Sequence, residues 1–124
     1  MKRVLIIDDS LSVLRLLQFV FEREEYDVVT AADGAEALQK IGERLPDIVV
    51  TDSIMPVMDG FAFLRKLKEL PGASTIPVIM LTSEDPETLD EPSRNPRPDG
   101  LIQKSSDFTP LLNKVSALLA GSDR

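Results

Sequence analysis

The stretch Arg3-Val4-Leu5-Ile6-Ile7-Asp8-Asp9-Ser10 decides how the chain is read. Val4 to Ile7 form an aliphatic, largely β-branched run of the kind that makes a strand buried on both faces. Asp8, Asp9 and Ser10 then supply the residue types that end strands and cap helices. Leu14, Leu17 and Phe21, flanked by Leu11 and Val20, recur every three to four residues, so a helix over about residues 10–23 turns one stripe toward a core. A strand feeding a helix is therefore expected at the start of the chain.

The same grammar continues outward from that stretch. Residues 28–31 read as a second strand, and Asp33 with Glu36 three positions later reads as a capping box. It opens a helix whose Ala37, Leu38 and Ile41 share a face until Gly42 and Pro46 stop it. Residues 48–51 make a third strand running straight into Asp52, and Gly60 precedes a helix with Phe61, Leu64 and Leu67 at helical spacing. Arg65, Lys66 and Lys68 form its solvated face. After a loop bracketed by Pro71, Gly72 and Pro77, residues 78–81 form a fourth strand ending at Thr82 and Ser83. Residues 101–103 make a short fifth strand ending at Lys104. Thr109 as cap and Pro110 at the first helical position then start a last helix with Leu111, Leu112, Val115, Leu118 and Leu119 on its buried stripe.

Apolar strands alternating with amphipathic helices predict an α/β fold with a doubly wound, five-stranded parallel sheet covered on both faces. A chain of 124 residues suits one domain over residues 1–124, with a folded surface near ~6,600 Å² and a core large enough to need no disulfide or metal staple. The composition excludes several kinds of chemistry. With no His and no Cys, the chain has no Ser-His or Cys-His nucleophile pair, no Cys/His zinc site and no phosphohistidine of its own. A net charge of −7 repels a phosphate backbone, so direct nucleic-acid binding is not expected. No apolar run approaches the ~18 residues of a membrane span, and the Met-Lys-Arg start lacks a signal-peptide core, so a cytoplasmic location is expected.

In doubly wound sheets ligands bind outside the carboxyl ends of the strands. Asp8 and Asp9 follow the first strand, Asp52 the third, Thr82 the fourth and Lys104 the fifth, so all five fall on one rim. Two carboxylates ~5 Å apart repel by roughly 3 kcal/mol at an effective dielectric of about 20, so such a cluster needs a cation or protons. Hard oxygen donors without nitrogen or sulfur suit Mg²⁺, Mn²⁺ or Ca²⁺. A phosphoryl group on one carboxylate would find positive and hydrogen-bonding partners in the metal, Lys104 and the Thr82 hydroxyl. The chemistry expected is phosphoryl transfer to an Asp.

Ile6-Ile7-Asp8-Asp9-Ser10, the run from Val50 through Asp52, Met55, Pro56 and Asp59 to Gly60, Leu81-Thr82-Ser83, and Gln103-Lys104 together resemble the receiver domain of two-component response regulators, of the single-domain, chemotaxis type. The resemblance implies the strand order 2-1-3-4-5. It also implies a phosphorylation-dependent switch in which Asp52 accepts a phosphoryl group from a histidine kinase or histidine phosphotransfer protein. Mg²⁺ (or Mn²⁺) would be held by Asp9, Asp52 and the backbone carbonyl of Ile54, with Asp8 acting mainly through metal-bound water. Lys104 would pair with the phosphoryl oxygens and Thr82 would hydrogen-bond one of them. Such a domain is not a turnover enzyme on a separate substrate. The reading from another class is a receiver-like interaction scaffold that is not phosphorylated. An Asp-nucleophile phosphatase is disfavoured because no D-x-D motif begins at a strand end, and nucleotide binding lacks a glycine-rich loop after the first strand.

Three departures from the family pattern carry expectations. Pro86, Pro92, Pro96 and Pro98 occupy the segment between the fourth and fifth strands, and each interior Pro costs a helix about 3 kcal/mol, so the helix there is expected to be short or missing over residues 85–99. A single turn near residues 87–90 is the most it should hold. The strand-four/strand-five face would then be thinly covered and open to a dimer mate or effector. Leu101 stands where receivers usually carry Tyr or Phe, and Ser105 where they usually carry Pro, so the output route is expected to be unusual.

Overall fold

The computed structural model describes residues 1–53, 55, 58–83 and 96–122. Its elements follow in the order β1 (Arg3–Ile7), α1 (Leu11–Arg23), β2 (Asp27–Ala31), α2 (Gly34–Glu43), β3 (Ile48–Asp52), α3 (Gly60–Glu69), β4 (Val78–Thr82), β5 (Gly100–Gln103) and α4 (Thr109–Ser122). The strands form one parallel sheet in the order β2-β1-β3-β4-β5, as the sequence pattern and the resemblance implied. The accessible surface, 6860 Å², lies close to the value expected from chain length.

The continuous apolar strands reflect burial on both faces. Side chains alternate across a strand, so Val4 and Ile6 of β1, Ile48 and Val50 of β3, and Ile79 and Leu81 of β4 pack with Leu14, Leu17 and Phe21 of α1 and Leu111, Val115 and Leu119 of α4. The intervening residues Leu5, Ile7, Val49 and Val78 pack with Ala37 and Ile41 of α2 and Phe63, Leu64 and Leu67 of α3. Strand β2 at one edge keeps only Ala31 fully buried, which explains its weaker apolar pattern.

Helix starts are defined by side chains. Ser10 caps α1 by accepting from the Val13 N–H. Asp33 Oδ1 accepts from the Glu36 N–H at 2.8 Å while Glu36 Oε2 accepts from the Ala32 N–H at 3.2 Å, a capping box shifted back by one residue on its return bond. Asp59 Oδ1 caps α3 through the Ala62 N–H at 2.8 Å.

Two expectations are corrected. Helix α2 runs through Gly42 to Glu43 and ends at Arg44, because the Arg44 N–H still reaches the Lys40 carbonyl at 3.0 Å and one Gly costs a helix only about 1 kcal/mol. Thr109 is not the cap of α4 but its first residue. The Phe108 carbonyl accepts the first helical bond, from the Leu112 N–H at 2.9 Å, and Asp107 Oδ1 accepts from the Thr109 N–H at 3.0 Å. That hydrogen bond holds the exposed Asp107 carboxyl below its ordinary pKa. Of residues 85–99, where a short or missing helix is expected, 85–95, including the single turn near 87–90, lie outside the described residues, and residues 96–99 carry no helix or strand.

Candidate functional site at the carboxyl edge of the sheet

Backbone geometry brings the chemistry-bearing residues to one rim. The Asp8 N–H donates to the Ala31 carbonyl at 3.2 Å, which prolongs the β1–β2 pairing and sets Asp8 one step past the strand. The Ser53 N–H donates to the Leu81 carbonyl at 2.9 Å, and the Ser53 carbonyl accepts from the Gly60 N–H at 3.0 Å, so the exit from Asp52 is pinned on both sides. On the far side the Lys104 N–H donates to the Thr82 carbonyl at 2.6 Å, tying the end of β5 to the end of β4.

Gly60 is required by this arrangement. A Cβ there would lie 2.5 Å from the Asp52 carbonyl oxygen and 3.2 Å from both the Met80 Cε and the Ser53 Cα. Only a residue without a side chain lets α3 begin so close to the strand end.

At the rim, one carboxylate oxygen from each of Asp8, Asp9 and Asp52 lies within 4.8 Å of the others. Asp8 and Asp52 are buried and Asp9 is exposed. Lys104 reaches in from the end of β5, its Nζ 3.3 Å from Asp8 Oδ2 and 3.2 Å from Asp52 Oδ2. Asp8 Oδ1 accepts the Ser10 N–H at 2.9 Å.

The electrostatics follow from burial and charge. Burial raises the Asp8 pKa above the ordinary carboxyl value and the Asp52 charge adds to the rise, while the Ser10 amide and Lys104 offset only part of it. For Lys104 burial pushes downward, but the charges of Asp8 and Asp52 outweigh it and leave the ammonium above its ordinary pKa. The site therefore holds a fixed cation facing more negative charge than it can balance.

Asp8, Asp9, Asp52 and Lys104 thus converge as expected. Thr82 is fully buried at the end of β4, and the carbonyl of Ile54 falls outside the described residues. Leu101 is half-buried in mid-strand opposite Met80, and Ser105 Oγ accepts the Asp107 N–H at 3.0 Å. Ser53 was not singled out by sequence. It is 3 % exposed, and its hydroxyl has no hydrogen-bond partner among the described residues. The available signal was a polar residue directly after the last strand position of a buried run.

A doubly wound sheet of order 2-1-3-4-5 with an acidic, lysine-backed pocket at its carboxyl edge defines a class of α/β signalling domain. The model of the response regulator receiver domain matches residues 4–116, and the chain belongs to that family. Protein PilH of Pseudomonas aeruginosa is 32% identical over 121 residues, covering 98% of this chain and all of that one. The response regulator PleD of Caulobacter vibrioides is 42% identical over 106 residues, 86% of this chain but 22% of PleD. The chain thus spans about a fifth of PleD, and its match covers about a third of the transcriptional regulator PhoP of Bacillus subtilis. Among solved structures, the signal receiver domain of a histidine kinase from Syntrophus aciditrophicus has a TM-score of 0.89 at 34% identity, over the whole of this chain and 94% of that one. The response regulator TrrA of Thermotoga maritima, solved in complex with Mg²⁺-BeF, has a TM-score of 0.85 at 30% identity, over 95% and 99% of the two chains. No helix among the described residues is long and apolar enough to cross a membrane.

Proposed function

We propose that this domain is a phosphorylation-dependent switch in which Asp52 accepts a phosphoryl group from the phosphohistidine of a histidine kinase or phosphotransfer protein. An Asp52 oxygen bonds to phosphorus, the phosphorus–nitrogen bond of the donor breaks, and the leaving imidazole takes up a proton. The donor histidine lies outside these 124 residues, which contain no His.

The observation that carries this reading is the position of Lys104, ion-paired to the buried Asp8 and Asp52 together at 3.3 and 3.2 Å. An ammonium there neutralises charge on a phosphoryl oxygen without having to move into place. Thr82, at the neighbouring strand end, is the hydroxyl donor to a second phosphoryl oxygen. The donor set fits a hard divalent cation: only oxygens, three carboxylates within 4.8 Å, and one of them exposed toward water. Asp9 and Asp52 would hold Mg²⁺ directly, with Asp8 acting through water and the Ile54 carbonyl as a further ligand. Bound there, the cation would offset the negative charge of the incoming phosphoryl group.

Incubation with Mg²⁺ and acetyl phosphate, followed by intact-mass spectrometry, tests the reading. One added phosphoryl group is expected, lost in Asp52→Asn. An unlabelled protein, under conditions that label an ordinary receiver, would instead support the unphosphorylated scaffold.

A further inference from the structure

Ser53 and Thr82 are cross-strand neighbours. Where Val49 stands opposite Val78, the Val49 N–H reaches the Pro77 carbonyl, one residue before its partner. The Ser53 N–H reaches the Leu81 carbonyl in the same way, so Ser53 stands opposite Thr82 one step beyond the last paired residues, Asp52 and Leu81. Directly opposed residues in adjacent strands lie about 5 Å apart with side chains on one face, close enough for Ser and Thr hydroxyls to bond.

Both residues are buried, at 3 % and 0 % exposure. Yet the Ser53 hydroxyl has no partner among the described residues, and an orphaned buried hydroxyl costs free energy in the state that leaves it unmet. A hydroxyl that donates its one proton keeps two lone pairs free to accept. Thr82, once it donates to a phosphoryl oxygen, therefore presents an acceptor to whatever donor stands beside it.

We propose that Ser53 is a positioning residue for Thr82: in the phosphorylated domain its hydroxyl donates to Thr82 Oγ1 while Thr82 donates to the phosphoryl group. The inference rests on the phosphoryl-acceptor reading and deepens it. The two hydroxyls form a short chain from the strand end to the anion, and each bond polarises the next. The free domain leaves the Ser53 donor without a partner among the described residues and the loaded domain satisfies it, so the pair favours the loaded form. It also gives Thr82 a position-setting neighbour in a chain whose fifth strand has Leu101 and no aromatic ring.

The test is a double-mutant cycle with Ser53→Ala and Thr82→Val, the second keeping the buried volume of Thr without its hydroxyl. Beryllofluoride with Mg²⁺ serves as the phosphoryl stand-in, and affinity is read by titration. The metal-free melting temperature of each variant is read alongside. Ser53→Ala is expected to leave the metal-free melting temperature unchanged or higher and to weaken beryllofluoride binding about fivefold. In the Thr82→Val background the same substitution should change affinity less than twofold. Equal weakening in both backgrounds, or a lower metal-free melting temperature, overturns the proposal. Unchanged affinity in Ser53→Ala beside a loss in Thr82→Val also overturns it, while leaving the phosphoryl-acceptor reading intact. A wild-type chain that binds no beryllofluoride and takes no label from acetyl phosphate overturns that reading, and the proposal with it.

Discussion

Lys104 and Asp8 lie 96 positions apart in the chain and meet at 3.3 Å from Nζ to Oδ2, with the carboxylate buried and the lysine side chain 31 % exposed. The pairing is incomplete compensation. Asp8 keeps a raised pKa because burial and Asp52 together exceed what Ser10 and Lys104 return. A carboxyl whose folded pKa is raised stabilises the fold fully below its ordinary value near ~3.9, and that contribution is lost as pH rises through the raised folded value. At neutral pH the ionised Asp8 therefore opposes folding. Asp8→Asn should stabilise the metal-free protein at pH 7 by about 1 kcal/mol, a rise in melting temperature of about 4 °C, with little change at pH 3. Equal melting temperatures of variant and wild type at pH 7 would contradict it.

The same crowding predicts a cation-dependent stability. A ligand that binds only the folded form at a hundred times its Kd stabilises by about 2.7 kcal/mol. Saturating Mg²⁺ should raise the melting temperature of the wild type, and chelation should reverse the rise. Asp9→Asn changes an exposed residue and should leave the metal-free melting temperature within about 2 °C, yet it should remove most of the Mg²⁺-induced increase. A full Mg²⁺ response in the variant would place the ion elsewhere.

Gly60 couples the third helix to the site. Since a Cβ at this position would meet the backbone oxygen of Asp52 at 2.5 Å, relief must come from the backbone, not from a flexible side chain. Gly60→Ala should cost about 3 kcal/mol and lower the melting temperature by about 10 °C. Because the strained contact is Asp52 itself, acetyl phosphate labelling of the surviving folded fraction should slow as well. A stable variant that labels at the wild-type rate would refute the coupling.

Much of this was readable from residue order, and the reasons are local. Strands buried on both faces announce themselves as unbroken runs such as Val4 to Ile7, and the carboxylates that follow them necessarily land on one rim of a parallel sheet. Asp8, Asp9, Asp52 and Lys104 were found this way. What stayed hidden depended on register or on competing local chemistry. The opposition of Ser53 and Thr82 is set by how β3 slides against β4, which neither strand encodes alone. The last helix starts one residue earlier than a Thr109 cap implies, because the Phe108 carbonyl accepts its first bond while the Asp107 carboxylate takes the Thr109 N–H. Gly42 and Pro46 bracket the end of α2, and the exact residue, Glu43, is set by the Arg44 N–H still reaching the Lys40 carbonyl.

Tyr26 gives a prediction that no other residue in the chain can confuse, because it is the only tyrosine. It closes the turn before β2, its ring edge-on to the buried Phe21 at a centroid distance of 5.6 Å. Burial raises its phenol pKa above the ordinary value of 10.0, and the neighbouring Glu24 charge raises it further. A raised phenol pKa stabilises the fold fully below that ordinary value, and the contribution disappears as pH climbs through the folded one. Ultraviolet titration of the folded protein should give a tyrosinate midpoint above that of the protein in denaturant. Glu24→Gln should lower the folded midpoint part of the way, leaving the share due to burial, and Tyr26→Phe should make the alkaline loss of stability less steep. Coincident midpoints in the folded and denatured protein, with the fold verified by far-ultraviolet circular dichroism throughout, would show that the ring is not held against Phe21.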